Sequence, residues 1–238
     1  MAVNRVGAID DWVRVATVLA SVSDKTGLDV LARGLIRVNP RITLLSTGGT
    51  FTALQQALGS AATEGGILAA TVSNLRQVSD YTGQPEMQGG LVKTLDYKIY
   101  LGLLSETYNA AHAADLARTG ASTIDMVIVN LYPFETTVSF ADATLEDARA
   151  NIDIGGPCMV RAAAKNFHRV AVITDPADYP AVLDELSVHD GQLCLATRWR
   201  LAQKAFELVA RYDAAIARYL STGVSPHRPG LYEIRHGR

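Results

Sequence analysis

Apolar residues along the chain alternate between short β-branched runs and longer stretches with helical spacing. The run VATVLASV at residues 15 to 22 predicts a strand, and apolar residues then recur at three- and four-residue steps from Leu28 to Leu35. A second unit repeats this order, with ITLLST at residues 42 to 47 and a helical pattern from Thr50 to Leu58. Two successive strand and helix units indicate an α/β fold.

Two later runs are apolar almost throughout, MVIVNLY at residues 126 to 132 and VAVITD at residues 170 to 175. Strands buried on both faces of a parallel sheet have this composition. Between them we expect a helix near Leu145 to Asn151 and another that opens at Pro157, since the fixed φ of proline suits the first helical turn. The element order predicts a mostly parallel sheet flanked by helices.

The remaining segments set the expected domain boundaries. Residues 59 to 78 are rich in Gly, Ala and Ser without a long period, which predicts a loop or a short hairpin. From about residue 193 the pattern is helical, which predicts helices packed on the sheet. We therefore expect an N-terminal extension over residues 1 to 14, one α/β domain over residues 15 to 220, and a tail over residues 221 to 238.

Composition narrows the classes of partner. The 238 residues include 22 basic and 24 acidic side chains, a formal charge of −2, which argues against a nucleic-acid or anionic-membrane platform. Cys158 and Cys194 form no CxxC pair, and the five histidines share no ligand spacing, so we expect neither a disulfide framework nor a metal site. A signal-peptide pattern and an 18-residue apolar run are both absent, which predicts a cytoplasmic protein.

Two turns after predicted strands have the residues of an anion site. Ligands of open α/β sheets bind beyond the carboxyl ends of the strands. SVSDKTG at residues 21 to 27 places hydroxyls and a lysine at a helix start, where amides attract anions, although these residues could simply cap the helix. STGGT at residues 46 to 50 adds glycines that let a ligand approach the backbone. Neither turn matches a nucleoside-triphosphate or dinucleotide motif, so a phosphate monoester is the predicted ligand.

Two further turns offer candidate catalytic groups. NLYPF at residues 130 to 134 provides an amide and a phenol, or it serves only to pack the sheet rim. NIDIGGP at residues 151 to 157 leads into a helix, where Asp153 could cap backbone amides. Alternatively, the two glycine amides could form an oxyanion hole. The residues alone leave both alternatives open.

Seven motifs follow one another along the chain: SVSDKTGL (21 to 28), LLSTGGT (44 to 50), VSDYTGQPEM (78 to 87), GGLVKTL (89 to 95), IDMVIVNLYPF (124 to 134), NIDIGGPCMVRAAAKN (151 to 166) and DPADY (175 to 179). Together they resemble the inosine monophosphate (IMP) cyclohydrolase domain of the bifunctional enzyme that ends purine biosynthesis. The match runs in order from about residue 16 to about residue 220. The resemblance implies a methylglyoxal-synthase-like α/β domain with a C-terminal helical segment.

The resemblance also implies an activity. Members close the purine ring of 5-formamidoimidazole-4-carboxamide ribotide to IMP with loss of water, without cofactor or metal. By resemblance, Lys93 and Lys165 are active-site lysines, Asp153 orients or deprotonates the attacking amide, and Tyr132 is a candidate general acid. The implied partners are the ribotide substrate, a second copy in a homodimer, and a separate transformylase.

The resemblance further implies a set of ligand-binding residues, most of them in the turns described above. The amides of Ile154 and Gly155 would complete an oxyanion site. The full set is Ser21, Ser23, Lys25, Ser46, Thr47, Gly48, Gly49, Thr94, Asn130, Ile154 and Gly155.

The chain departs from the family pattern in one loop. Leu91 replaces an arginine, Asp96-Tyr97 replaces His-Pro, and Tyr100 replaces a later histidine, so we expect weaker substrate contacts and an added negative charge there. The segment from Phe51 to Val78 is longer than in the family. The formyl-transfer domain is missing, so the chain is either a stand-alone cyclohydrolase or a fragment.

Three other functions stay open from the sequence. The first is a catalytically weakened ribotide-binding or regulatory domain, for which Leu91 and Asp96 are the evidence. The second is an aldehyde-forming phosphate lyase of the methylglyoxal synthase type, whose own motifs are not found here. The third is an α/β domain in which every polar turn is structural.

Overall fold

A computed structural model describes residues 5 to 62, 74 to 84, 94 to 222 and 232 to 233. Its elements, in chain order, are β1 (Trp12–Arg14), β2 (Thr17–Val22), α1 (Leu28–Val38), β3 (Thr43–Ser46), α2 (Gly48–Ala62), β4 (Leu75–Gln77), α3 (Val78–Thr82), α4 (Tyr97–Leu104), α5 (Ala110–Thr119), β5 (Met126–Asn130), α6 (Phe134–Ser139), α7 (Leu145–Ala150), α8 (Gly155–Lys165), β6 (Ala171–Ile173), α9 (Tyr179–Val188), β7 (Gln192–Cys194) and α10 (Leu195–Ser221). Among the described residues, no helix combines the length and the apolar character needed to cross a membrane.

Five parallel strands form the central sheet, in the order β4-β3-β2-β5-β6. The four strands predicted from apolar runs are β2, β3, β5 and β6, and the mostly parallel sheet is confirmed. In the sheet Ala20 lies opposite Ser46, and Val22 lies opposite Asn130. The turns after β2, β3 and β5 therefore leave the sheet at the same edge.

Alternate residues of each strand face two separate cores. In β2, Val18 and Ala20 pack into the core under α1, α2 and α9, whereas Leu19 packs into the core under α4, α8 and α10. In β5, Ile128 and Val127 divide in the same way. The side-chain period of two in a strand explains why these runs are apolar throughout, because both faces are covered.

The loop or hairpin predicted over residues 59 to 78 is partly wrong. The helix α2 continues to Ala62, and residues 75 to 77 form β4, which pairs in parallel with β3. A three-residue strand with the sequence LRQ is too short to show a period. Residues 63 to 73 lie outside the described part of the chain.

The expected N-terminal extension is joined to the domain by β1. Trp12 lies opposite Cys194 in an antiparallel pair with β7. Residues 195 to 221, where we expected several helices, form the single helix α10.

The guanidinium of Arg198 fixes α10 to the rest of the chain. Its side chain is 1% exposed, so each of its donors needs a partner inside the protein. It donates to the backbone carbonyls of Asp10, Asp11, Phe167, His168 and Leu193. One side chain thus ties together the N-terminal segment, the end of the α8 region, β7 and α10.

We predict that Arg198→Met lowers the free energy of unfolding by about 3 kcal/mol, because it leaves several buried carbonyls without a donor. Urea denaturation at neutral pH measures the change. The control is Arg218→Met, at an exposed position on the same helix. Equal stability of the two variants would contradict the role given to Arg198.

Candidate active site

A cavity of about 730 Å³ opens at the carboxyl ends of β2, β3 and β5. Its walls come from the turns after these strands and from the turn before α8. Twelve of the residues expected from sequence line it: Ser21, Ser23, Lys25, Thr47, Gly48, Gly49, Thr94, Asn130, Tyr132, Asp153, Ile154 and Gly155. The volume lies within the range of small-molecule sites.

The turn after β2 directs a lysine at the cavity. The Lys25 ammonium donates to the carbonyls of Val22 and Ser23, and burial lowers the pKa of Lys25, which the neighbouring Asp24 partly offsets. The N-cap of α1 is Gly27, in the left-handed conformation at φ 67° and without a side-chain cap. The serines of this turn therefore do not cap α1 with their side chains.

The turns after β2 and β3 are braced against each other. The hydroxyls of Ser21 and Thr47 are 2.9 Å apart, and the Thr50 hydroxyl bonds both the amide and the carbonyl of Val22 at 3.0 Å. Because α2 begins at Gly48, its first amides have no acceptor within the helix. These amides and Lys25 supply the positive potential that an anion needs.

Ser46 lies beneath this cavity and does not line it. Its side chain is fully buried, and the hydroxyl donates to the Ala20 carbonyl at 2.9 Å. This hydroxyl braces two adjacent strands, and its expected contact with a ligand stays a prediction.

Asn130 holds the turn after β2 with its side-chain amide. Its Oδ1 accepts from the amides of Ser23 and Asp24 at 2.6 and 2.8 Å, and its Nδ2 donates to the Asp24 carbonyl at 2.9 Å. We expected a ligand contact here. The side chain lines the cavity and also fixes the backbone of the turn after β2, and the ligand contact stays a prediction.

Asp153 both caps a helix and lines the cavity. Its Oδ1 accepts from the Gly156 amide at 2.8 Å, which caps the start of α8, and the residue also lines the cavity. Burial raises the pKa of Asp153, while the backbone amides of Gly156 and Tyr132 act in the opposite direction. A carboxylate with a raised pKa is a better proton acceptor than an exposed one.

The start of α8 is closely packed around its two glycines. A Cβ on Gly155 would lie 2.7 Å from the Thr94 hydroxyl. The Gly156 amide is bonded to Asp153, so of the two glycine amides in the oxyanion alternative only that of Gly155 is left for a ligand. Tyr132 and Ile154 are about half exposed, at 51% and 57%, and line the cavity.

Of the two lysines expected to be catalytic, the described residues include only Lys165. Lys165 is the last residue of α8 and is exposed, whereas the cavity surrounds the first residue, Gly155. Eleven helical residues separate these ends by about 15 Å. Lys93 and Leu91 lie outside the described residues, and the following Thr94 is buried and lines the cavity.

The departures from the family pattern have structural roles in α4. The Asp96 carboxylate accepts from the Lys98 amide at 2.8 Å and is the N-cap of the helix. Asp96 does not line the cavity, so the expected negative charge at the ligand is not supported. The Tyr100 ring packs against the core under α4, α8 and α10, and burial raises its pKa.

Comparison with protein families agrees with this fold. Residues 27–158 match the model of the MGS-like domain, and residues 163–235 match the model of the AICARFT/IMPCHase bienzyme. The chain belongs to the MGS-like domain family. Both the methylglyoxal-synthase-like fold and the resemblance to the bifunctional purine enzyme are thereby confirmed.

Individual relatives support the same resemblance to the bifunctional purine enzyme. The chain is 45% identical over 219 residues to the bifunctional purine biosynthesis protein PurH of Magnetococcus marinus, covering 92% of this chain and 38% of that protein. It is 49% identical over 211 residues to PurH of Xanthomonas euvesicatoria, covering 89% of this chain and 37% of that protein. The chain thus spans well under half the length of these relatives.

A solved structure is similar over nearly its full length. The crystal structure of ForH is 33% identical, with a TM-score of 0.68, and the match covers 87% of this chain and 99% of ForH.

We predict that Asp153→Asn is at least as stable as the wild type at neutral pH. The folded protein holds the Asp153 proton more tightly than the unfolded chain does, so the stability from this group is lost as pH rises through the raised pKa. The advantage of the variant therefore vanishes below about pH 4, where the wild-type carboxyl is protonated in both states.

Urea denaturation across this pH range measures the difference, with the exposed Asp213→Asn as control. A wild type that gains stability over Asp153→Asn as pH rises would show that the two amides outweigh burial.

We predict that Gly156→Ala displaces the Asp153 carboxylate, because the added Cβ would lie 2.5 Å from Asp153 Oδ2 and 2.7 Å from Leu131 Cδ2. Such overpacking lowers the free energy of unfolding by about 1–3 kcal/mol. The control, Gly59→Ala in α2, has nothing within 4 Å of the new Cβ and stabilises a helix by about 0.5–1 kcal/mol. Denaturation curves of both variants test this, and a neutral Gly156→Ala would refute it.

Proposed function

We propose that this chain is an IMP cyclohydrolase, which closes the ring of 5-formamidoimidazole-4-carboxamide ribotide with loss of water. The observation that carries the proposal is that Asp153, with its raised pKa, shares one cavity with Tyr132, with Lys25 and with the first residues of α2. The similarity to PurH and to the bienzyme family supports the same reaction. The family resemblance adds that the chain acts as a homodimer and receives its substrate from a transformylase.

The two sides of the cavity suit the two ends of a ribotide. We place the phosphate at the turns after β2 and β3, where Lys25 and the amides of Gly48 and Gly49 supply positive potential. The imidazole then lies towards the turn after β5 and the start of α8. There Tyr132 and Ile154 offer partly exposed apolar surface for the ring.

Ring closure needs one proton acceptor and one proton donor. The carboxamide nitrogen attacks the formyl carbon, and the Asp153 carboxylate takes the proton that this nitrogen loses. The Tyr132 phenol gives a proton to the formyl oxygen, which becomes a hydroxyl group. In the dehydration that follows, this hydroxyl takes the proton held by Asp153 and leaves as water, and the former formamide nitrogen returns its N–H proton to the Tyr132 phenolate. The amides at the start of α8 stabilise negative charge on that oxygen. Both reacting groups belong to one substrate, so orientation is a large part of the catalysis.

Lys93 and Lys165 enter the proposal through the family resemblance alone. An ammonium near the formyl oxygen would stabilise the developing charge. Lys165→Ala tests this for the lysine at the far end of α8. If its turnover falls with unchanged affinity, a second copy or another arrangement of α8 brings this ammonium to the substrate.

We predict that the purified chain converts the formamido ribotide to IMP, followed by ultraviolet absorbance. Asp153→Asn lowers kcat by about 100-fold or more, because the proton acceptor is lost. Lys25→Met raises KM more than it lowers kcat, because Lys25 contacts the phosphate in both ground and transition states. Lys98→Met, whose ammonium faces the Tyr81 carbonyl, is the matched control.

Absence of product above the uncatalysed rate would sink the enzyme proposal. The second candidate is a ribotide-binding domain with little turnover, and the position of Lys165 at the exposed end of α8 favours it. Calorimetry with IMP separates the two. Tight binding without turnover supports the binding domain, and turnover supports the cyclohydrolase.

A further inference from the structure

Tyr212 on α10 contacts the backbone of the turn that carries Asp153. Its hydroxyl accepts from the Asp153 amide at 2.8 Å and donates to the Asn151 carbonyl at 3.2 Å. The side chain is 8% exposed, and its ring meets Phe134 edge-on at 6.2 Å. The phenol is thus held by packing while both of its hydrogen-bonding functions are used by one short turn.

This contact completes the set of hydrogen bonds around Asp153. The backbone amide of Asp153 bonds Tyr212, its carboxylate bonds the Gly156 amide, and the Tyr132 amide also faces the carboxylate. A partly buried amide needs an acceptor, and the phenol provides it. With the backbone fixed on one side and the carboxylate on the other, the direction of Asp153 into the cavity is determined.

The hydrogen bond between Tyr212 and Asp153 joins two segments of the chain that match different family models. The MGS-like match ends at residue 158, and the bienzyme match, which contains all of α10, begins at residue 163. Asp153 belongs to the first segment and Tyr212 to the second. Helix α10 packs along α8 and is fixed at its start by Arg198, so it delivers Tyr212 to a site that the sheet domain alone leaves incomplete.

We propose that Tyr212 is a positioning residue, which keeps Asp153 aimed at the reacting atoms through the Asn151–Asp153 turn. Its kinetic consequence depends on the cyclohydrolase function proposed above. Its effect on the carboxyl group itself does not depend on that function. The two consequences are therefore measured separately.

The variant that removes only the hydroxyl is Tyr212→Phe, and the matched control is Tyr219→Phe. Tyr219 lies on the same helix and meets the same Phe134 edge-on at 5.8 Å, but the hydrogen bonds of the Asn151–Asp153 turn do not involve it. We expect Tyr212→Phe to lower kcat about 10- to 100-fold with KM changed less than about twofold, because a misplaced catalytic group mainly affects the transition state. The control retains wild-type kinetics.

A titration of the Asp153 carboxyl carbon by nuclear magnetic resonance gives the second readout, with Asp153→Asn assigning the signal. Among the described residues, Tyr132 and Tyr212 are titratable groups near Asp153, Lys25 lines the same cavity, and Asp213 follows Tyr212 on α10. A loosened turn admits water and relieves burial. Tyr212→Phe therefore lowers the pKa of Asp153 towards its ordinary value, and Tyr219→Phe leaves it unchanged.

Each outcome decides a separate question. If Tyr212→Phe and Tyr219→Phe give the same Asp153 titration, the positioning role is wrong. This holds even if Tyr212→Phe lowers turnover, because a loss of folded protein would also lower it. If the titration differs but the wild type forms no IMP, the positioning role stands and the cyclohydrolase proposal fails. If both kcat and the titration change only in Tyr212→Phe, both proposals are supported.

Discussion

The parallel direction of the five strands is the constraint on which the site depends. Because all strands point the same way, the turns after β2, β3 and β5 meet at one edge of the sheet. Short side-chain hydrogen bonds then fix these turns relative to one another. Thr50 bonds the backbone of Val22, and Asn130 bonds the backbone of Ser23 and Asp24. The cavity is therefore a preorganised surface of backbone amides, because several polar side chains fix the backbone of the turns around it.

The same cavity contains an unfavourable arrangement, which the proposed function would explain. Asp153 is a carboxylate in a largely buried position, and burial raises its pKa even though two backbone amides offset part of the effect. A protein selected only for stability would place a neutral side chain there. In the proposed reaction, the raised pKa makes Asp153 a stronger proton acceptor than an exposed carboxylate, so a local loss of stability accompanies its chemistry.

Helix α10 links the stability of the fold to the geometry of the site. Near its start Arg198 donates hydrogen bonds to backbone carbonyls from distant parts of the chain, and about four turns further along Tyr212 holds the turn that carries Asp153. A helix of 27 residues spans about 40 Å and is stiff enough to join these positions. The helix therefore explains how residues 195 to 221, which add no strand to the central sheet, contribute to its edge.

The sequence by itself determined the strands and helices with a long apolar period, and it located the polar turns, because both signals are local. It missed the three-residue strands β1, β4 and β7, which are too short to show a period and form only through pairing partners. Only the tertiary structure decided that Asn130 clamps a turn, that Asp96 caps a helix, and that Lys165 lies far from Gly155. The contact from Tyr212 to Asp153 joins residues 59 positions apart, and no local pattern encodes it, because the packing of α10 brings the two together.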